Sequence, residues 1–319
     1  MLRSEPRLVL GATVDRRRVG IGNAAKMLGM ISDVLVVTDS LGFSNVKPVV
    51  LGNAGNLLVY LSPFPIVARV AKLFADDDSM LWREIWDYEI KVARHLMESG
   101  IPVVSYSRVV PPGPYPVGAT WMTLWEYAEL VPIPALSAQQ AITMVNHLAI
   151  AMSKFQEPLP PLGAWRNVAQ AADYLSHRDD GRISTLLMVY KKVNERIQRE
   201  VLYPAHGDAH QGNLLATGTG WRWIDFEDVS LMPKFWDLAS FIGNTVLFHG
   251  LKHPIVQAVL RKPEVSQDRP SFQFALAARV IMSTMTNLAL ALNGHGDGDF
   301  AQAQIERIHD FLWVVDQGL

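Results

Sequence analysis

The sequence predicts an α+β chain in two lobes: a small antiparallel-sheet N-lobe over residues 1–130 and a larger, mainly helical C-lobe over 131–319. Three observations predict it. Short β-rich runs follow one another between residues 46 and 71, a proline-punctuated connector, VPIPAL, stands at 131–136, and the pattern beyond it is mostly helical. A length of 319 residues fits two domains or one domain with two lobes.

GNAAKMLGMIS (22–32) reads as a weak helix. VKPVV (46–50), LLVYL (57–61) and IVARVA (66–71) read as strands, rich in β-branched and aromatic residues and separated by the turns LGNAGN and SPFP. Strands so close in sequence imply an antiparallel meander. Leu81, Ile85, Tyr88, Val92 and Leu96 then recur at helical spacing, and that helix stops at Ser99-Gly100. TWMTLWEY (120–127) is a further strand.

After the connector, Ser137 and Gln140 form a capping-box pattern ahead of the stripe Ile142, Val145, Ala149, Met152 and Phe155. Ile183, Leu186, Tyr190, Val193 and Ile197 place a helix over 183–199. NLLAT (213–217), a GTG turn and WRWID (221–225) read as a β-hairpin carried by the large lobe. From Lys234 onward the chain is mostly helical.

Composition narrows the function. A net charge of −2 argues against a nucleic-acid partner, which calls for a basic field. With no cysteine, disulfides, thiolate zinc sites and cysteine nucleophiles are excluded. MLRSEPRLVL shows no export signal, because Glu5 and Pro6 fall where an apolar run is needed. In the longest apolar stretch, 275–292, Arg279 and Asn287 interrupt the run, which favours a buried helix over a membrane span. The expectation is a soluble cytoplasmic protein with no membrane partner.

The chemistry concentrates in HGDAHQGN (206–213). His206-x-Asp208-x-His210 could be a metal cluster; Asp208 with Asn213 five residues on could be a phosphoryl-transfer loop. Asp225 closes the strand WRWID, and a hairpin would return it to the end of the loop that carries Asn213. Two carboxylates and a carboxamide are hard oxygen ligands of the kind Mg²⁺ takes, together with water and phosphate oxygens. Phosphoryl transfer asks for little more: a carboxylate for the alcohol, an amide and an acid for the metal, a cation for the phosphates and a loop to cover them.

HGDAHQGN, followed by IDFED and then WDLA (236–239), resembles the aminoglycoside phosphotransferase and choline kinase-like family, small-molecule kinases with a protein-kinase-like fold. The order of elements is similar from about residue 45 to at least 240. The resemblance implies Asp208 as catalytic base, Asn213 and Asp225 as metal ligands, His206 as a structural histidine and Asp237 as a brace for the loop. His210 stands where Ser/Thr protein kinases carry a lysine, which favours a small-molecule acceptor.

In the small lobe the resemblance implies that Glu89 pairs with a strand cation. Arg69 matches the position where the family usually has lysine, with Lys72 as the fallback on the opposite face of the strand. Arginine can clamp phosphate, although it is not equivalent to lysine. Gly52 and Gly55 of LGNAGN are candidates to cover the phosphates, though seen alone they are an ordinary turn. Glu126 and Tyr127 are the hinge whose backbone would face adenine. The implied cofactors are ATP or GTP and Mg²⁺, and the implied partner is a small molecule with a hydroxyl: an antibiotic, an amino alcohol or a sugar.

Two other readings remain at this point. The arginine and the irregular glycine loop suit a kinase-fold nucleotide-binding or regulatory protein without turnover. A zinc hydrolase built on His206 and His210 would need a third ligand, for which His249 and His253 offer no matching pattern. Glu227 and Asp228 read either as supports behind the site or as turn residues, with the balance slightly toward turns; Trp165 and Trp221 read as packing, and Asp173, Asp179 and Asp180 as scattered acids equally at home in solvent.

Overall fold

Two segments far apart in sequence build the first of two units: residues up to Ile133 and Leu214–Glu227; the second unit is Pro134–Asn213 with Asp228–Leu319. The structure, a computed structural model, describes residues 21–53, 55–72 and 78–316. The N-terminal decapeptide read for an export signal and Ala54 of the LGNAGN turn lie outside the described residues.

The first unit opens with α1 (Ile21–Ser40), longer than the weak signal at 22–32 implied. Strands β1 (Lys47–Gly52), β2 (Leu57–Ser62) and β3 (Ile66–Val70) form the expected meander. Helix α2 (Ser79–Glu98) follows, capped by the Asp78 carboxylate at its N-terminus and ending at Ser99. Strands β4 (Tyr115–Val117) and β5 (Thr120–Glu126) complete a five-stranded antiparallel sheet in the order β1-β2-β3-β5-β4. Its inner face buries Leu57, Val59, Leu61, Ala68, Met122 and Leu124. The α2 stripe is rotated from expectation: Leu81 is exposed, and Trp86 and Glu89 take buried places beside Ile85, Val92 and Leu96.

The second unit begins with α3 (Ala138–Met152), where Ser137 and Gln140 cap each other as the pattern predicts. Such a cap stabilises a helix by about 1 kcal/mol. Then come α4 (Val168–Ser176), α5 (Gly181–Ile197) and a short strand β6 (Leu202–Ala205), which leads into the HGDAHQGN loop. Asp180 is no idle surface acid, because its carboxylate caps α5 by accepting from the Arg182 N–H at 2.8 Å.

The hairpin β7 (Leu214–Thr217) and β8 (Gly220–Trp223) is grouped with the first unit. The Trp223 N–H donates to Pro102 O and the Val104 N–H to Trp223 O, which stitch β8 to the segment after α2. The strand stops at Trp223, two residues short of Asp225, whose φ of 69° is left-handed and incompatible with a strand.

The chain re-enters the second unit with β9 (Ser230–Pro233), which pairs with β6. Helices α6 (Trp236–His249), α7 (Pro254–Leu260), α8 (Pro263–Gln267), α9 (Arg269–Leu292) and α10 (Gly298–Asp316) follow. Helix α9 is long and apolar enough to cross a membrane by length and composition, yet it packs against α4, α5, α6 and α10 and is mostly buried.

Candidate active site

The loop after β6 is fixed from below. Asp237, in the first turn of α6, accepts the His206 N–H on Oδ2 (3.0 Å) and the Gly207 N–H on Oδ1 (3.1 Å). Burial pushes the Asp237 carboxyl above its ordinary range, while His206 and the two backbone N–H groups pull the other way. The Trp236 indole donates to Gly207 O at 2.7 Å. Gly207 is required: its φ is 88°, and a Cβ there would lie 2.0 Å from Asp228 O. His206 is fully buried and accepts the Asp208 N–H on Nδ1.

Both oxygens of Asp208 are held. Oδ2 faces His210 Nε2 at 3.2 Å and accepts from Asn213 Nδ2 at 3.2 Å. His210 Nδ1 accepts the Gly212 N–H at 2.9 Å, so the imidazole proton sits on Nε2 and points at Asp208. Asn213 also donates to Asp208 O at 2.9 Å, which leaves its amide oxygen as the group able to meet a cation.

The Oδ1 atom accepts from Arg279 Nη2, a contact the sequence did not announce. Arg279 lies inside α9, and its Nε donates to Ser240 Oγ on α6 at 3.0 Å. Burial works to raise the Asp208 carboxyl, but Arg279 and then His210 outweigh it and hold the group well below the usual carboxylate range. The signal was present: an arginine amid buried apolar residues requires a partner.

The first unit carries a second constellation. On the central strand β3, Arg69 is buried and reaches three acids: Nη1 pairs with Glu89, and Nη2 pairs with Asp225 and, at 2.7 Å, with Glu227. Its guanidinium also lies 4.7 Å from the Trp86 ring centroid. Glu227 is therefore not merely a turn residue; it also accepts from Asn56 at 2.6 Å. Asp228 pairs with Arg166 at 3.0 Å in the second unit.

Burial drives the Glu89 carboxyl up to about 7, with Asp225 adding to the rise and Arg69 and the Phe226 N–H opposing it. Glu89 Oε2 is buried with no hydrogen-bond partner. One guanidinium thus faces three carboxylates, of which Asp225 is one-third exposed. This excess of negative charge fits a divalent cation. Among the described residues, no group of three or more His, Cys, Asp or Glu is arranged to hold a metal ion by itself. The His249 and His253 rings lie tilted to one another, with centroids 5.6 Å apart.

The remaining positions differ from expectation in detail. Lys72 follows the end of β3 and donates to Asn53 O at 2.5 Å, so it braces the glycine turn. A Cβ would meet nothing at Gly55 and only Leu58, at 3.4 Å, at Gly52, so neither glycine is sterically required. The Glu126 and Tyr127 N–H groups are committed to Ser105 O and Pro65 O, both at 2.8 Å. Trp165 and Trp223 are core residues, and Trp221 is half-buried.

A five-stranded antiparallel sheet with two helices, a mostly helical second unit and an Asp-Asn loop between β6 and β7 define a kinase-like fold. The chain belongs to the phosphotransferase enzyme family, whose pattern its residues 87–274 match. Among solved structures it is similar to a choline/ethanolamine kinase family protein from Mesorhizobium loti, at 15% identity over 90% of this chain and 95% of that one (TM-score 0.60). It is similar to choline kinase LicA from Streptococcus pneumoniae at 13% identity, covering 87% and 97% of the two chains (TM-score 0.62). The GDP complex of aminoglycoside 2'-phosphotransferase-IIIa matches at 12% identity over 88% and 97% (TM-score 0.56). At these identities the likeness is one of fold. No curated protein sequence matches the chain.

Proposed function

We propose that this protein is a Mg²⁺-dependent kinase that transfers the γ-phosphoryl group of ATP or GTP to a hydroxyl of a small molecule. The observation that carries the reading is the fixation of Asp208, with both carboxylate oxygens and its backbone carbonyl tied by Arg279, His210 and Asn213. A carboxylate so held is oriented to receive an alcohol proton. The phosphotransferase family match supports it, as do similar folds named for choline and aminoglycoside phosphorylation and one solved with GDP.

Asp208 accepts the hydroxyl proton as the acceptor oxygen bonds to the γ-phosphorus. The bond from that phosphorus to the β,γ-bridging oxygen breaks, and the nucleoside diphosphate leaves with the electron pair. Asn213 and Asp225 would hold the metal, which neutralises phosphate charge. Arg69, anchored by Glu89, is the cation for the nucleotide; Asp225 and Glu227 must loosen their hold on it for phosphate to bind. Glu126 and Tyr127 would meet the base through their carbonyls, and Gly52 and Gly55 would line the phosphate turn.

That saturation of Arg69 is also the observation that favours a second reading, a nucleotide-binding protein without turnover. The test is a melting-temperature series with Mg-ATP and Mg-GTP, followed by a phosphate-transfer screen over amino alcohols, sugars and antibiotics. Nucleotide stabilisation with transfer supports the kinase. Stabilisation with neither transfer nor hydrolysis supports the second reading. No effect of either nucleotide overturns both.

A further inference from the structure

The second unit contains a cleft of about 200 Å³ between the loop residues His210–Gly212 and the α6 face that carries Ser240, Asn244, Thr245, Phe248 and His249. It adjoins Asp208 through His210, which points at the carboxylate, and through Ser240, which holds Arg279. None of the nine residues that line it is Asp, Glu, Lys or Arg. From this wall we infer that the acceptor is an uncharged polyhydroxylated molecule, a small polyol or a monosaccharide, and not a cation. The inference rests on the kinase reading above and names its substrate class.

A cationic acceptor needs a carboxylate or an open aromatic face. The nearby carboxylate, Asp208, is already balanced by Arg279. The aromatic faces are also taken. The Arg307 guanidinium lies 5.1 Å from the Phe248 ring centroid, Phe300 packs on Phe248 at 5.5 Å, and Phe241 is 3% exposed. An anionic acceptor fares no better on this wall, since Arg279 is tied to Asp208 and Ser240.

What the wall does offer is neutral hydrogen bonding, and one member is preset. Asn244 Oδ1 accepts from Gln304 Nε2 at 3.3 Å, and Gln304 Oε1 accepts from Asn287 Nδ2 at 2.8 Å. Gln304 is fully buried, so this amide ladder through α9, α10 and α6 is a costly arrangement to keep in a core. It fixes the Asn244 amide with its NH₂ available as a donor to the cleft. Thr245, Gln211 and His249 add groups that can both give and accept, the set a vicinal diol uses. At roughly 30 Å³ per water, the cleft has room for about six or seven waters, enough to seat a polyol or one sugar ring.

The experiment uses the full chain with Mg-nucleotide and a fixed set of acceptors. Glycerol, D-ribose, D-glucose and myo-inositol are the neutral probes, choline and kanamycin the cationic ones, and D-glycerate the anionic one. The expected result is transfer to at least one neutral probe, with kcat/KM about tenfold or more above the charged probes. Losing one neutral hydrogen bond corresponds to a KM rise of up to about tenfold, the change expected for Asn244→Ala with kcat held. Asn244→Asp should shift preference toward choline. Preference for choline, kanamycin or D-glycerate overturns the inference, as does an unchanged KM in Asn244→Ala. Nucleotide-induced stabilisation without transfer to any neutral probe overturns it while sparing nucleotide binding; absence of that stabilisation removes the kinase reading itself.

Discussion

Arg279 of α9 donates to Oδ1 of Asp208, seventy-one residues earlier in the chain, while Ser240 of α6 anchors the same guanidinium at 3.0 Å. Asp208 is thus held by the helical core of its own unit. Arg279→Met should lower stability by about 2 kcal/mol, the scale of a lost hydrogen bond to a charged group. It should lower kcat more than it raises the nucleotide KM, and Arg279→Lys should recover part of the loss. Denaturant unfolding and steady-state kinetics on the three proteins check this.

Asp208→Ala removes the group proposed to orient and deprotonate the hydroxyl. Turnover should fall by about 10²-fold or more, the usual scale of positioned general-base help. Mg-nucleotide binding, followed by the melting-temperature shift, should stay within a few-fold of the parent.

The cluster around Arg69 leads to a different expectation. Arg69→Ala leaves Glu89 buried without its cation beside Asp225 and Glu227, and breaking a buried pair in this way costs about 3–5 kcal/mol. Lys72 is engaged with Asn53 O and does not take over. The unfolding midpoint of Arg69→Ala should drop accordingly, and Arg69→Ala/Glu89→Gln should lose less than the two single losses summed.

Gly207→Ala tests the loop's backbone. With φ at 88° and the added Cβ 2.0 Å from Asp228 O, the loop must move. The variant should lose at least about 2 kcal/mol from strain and overlap together. Activity should fall with it, even at temperatures where the protein remains folded.

Asp180 supplies the pH prediction. Its carboxyl is pulled down to about 2, first by the Arg182 side chain and then by the Arg182 N–H. A depressed acid stabilises the fold above its unfolded pKa, and the contribution fades as pH falls through the folded value. Asp180→Ala should therefore cost about 1 kcal/mol at pH 6, the usual value of a helix cap. That gap should shrink between pH 4 and 2. Urea titrations of both proteins at several pH values measure it.

The meander, the capping box and the α3 and α5 helices were legible because each rests on local periodicity or turn chemistry. Strands β6 (LYPA), β9 (SLMP) and β4 (YPV) were not, since each is short and carries a proline, which counts against a strand when pairing partners are unknown. The face of α2 was misjudged because Glu89 counts as polar until Arg69 is seen opposite it. In the loop, the spacing of His206, Asp208 and Asn213 was visible, whereas Arg279 read only as a break in an apolar run. A charge in an apolar run signals that it needs a partner, but not which residue supplies it.

Asp225 carries a lesson for anyone mutating it. Its φ of 69° lies where asparagine and aspartate are tolerated and alanine is penalised by about 1–2 kcal/mol. An alanine scan would blend a conformational defect with the removal of a charge and overstate the latter. Asparagine keeps the local geometry and takes away only the anion, which makes it the cleaner instrument for this position.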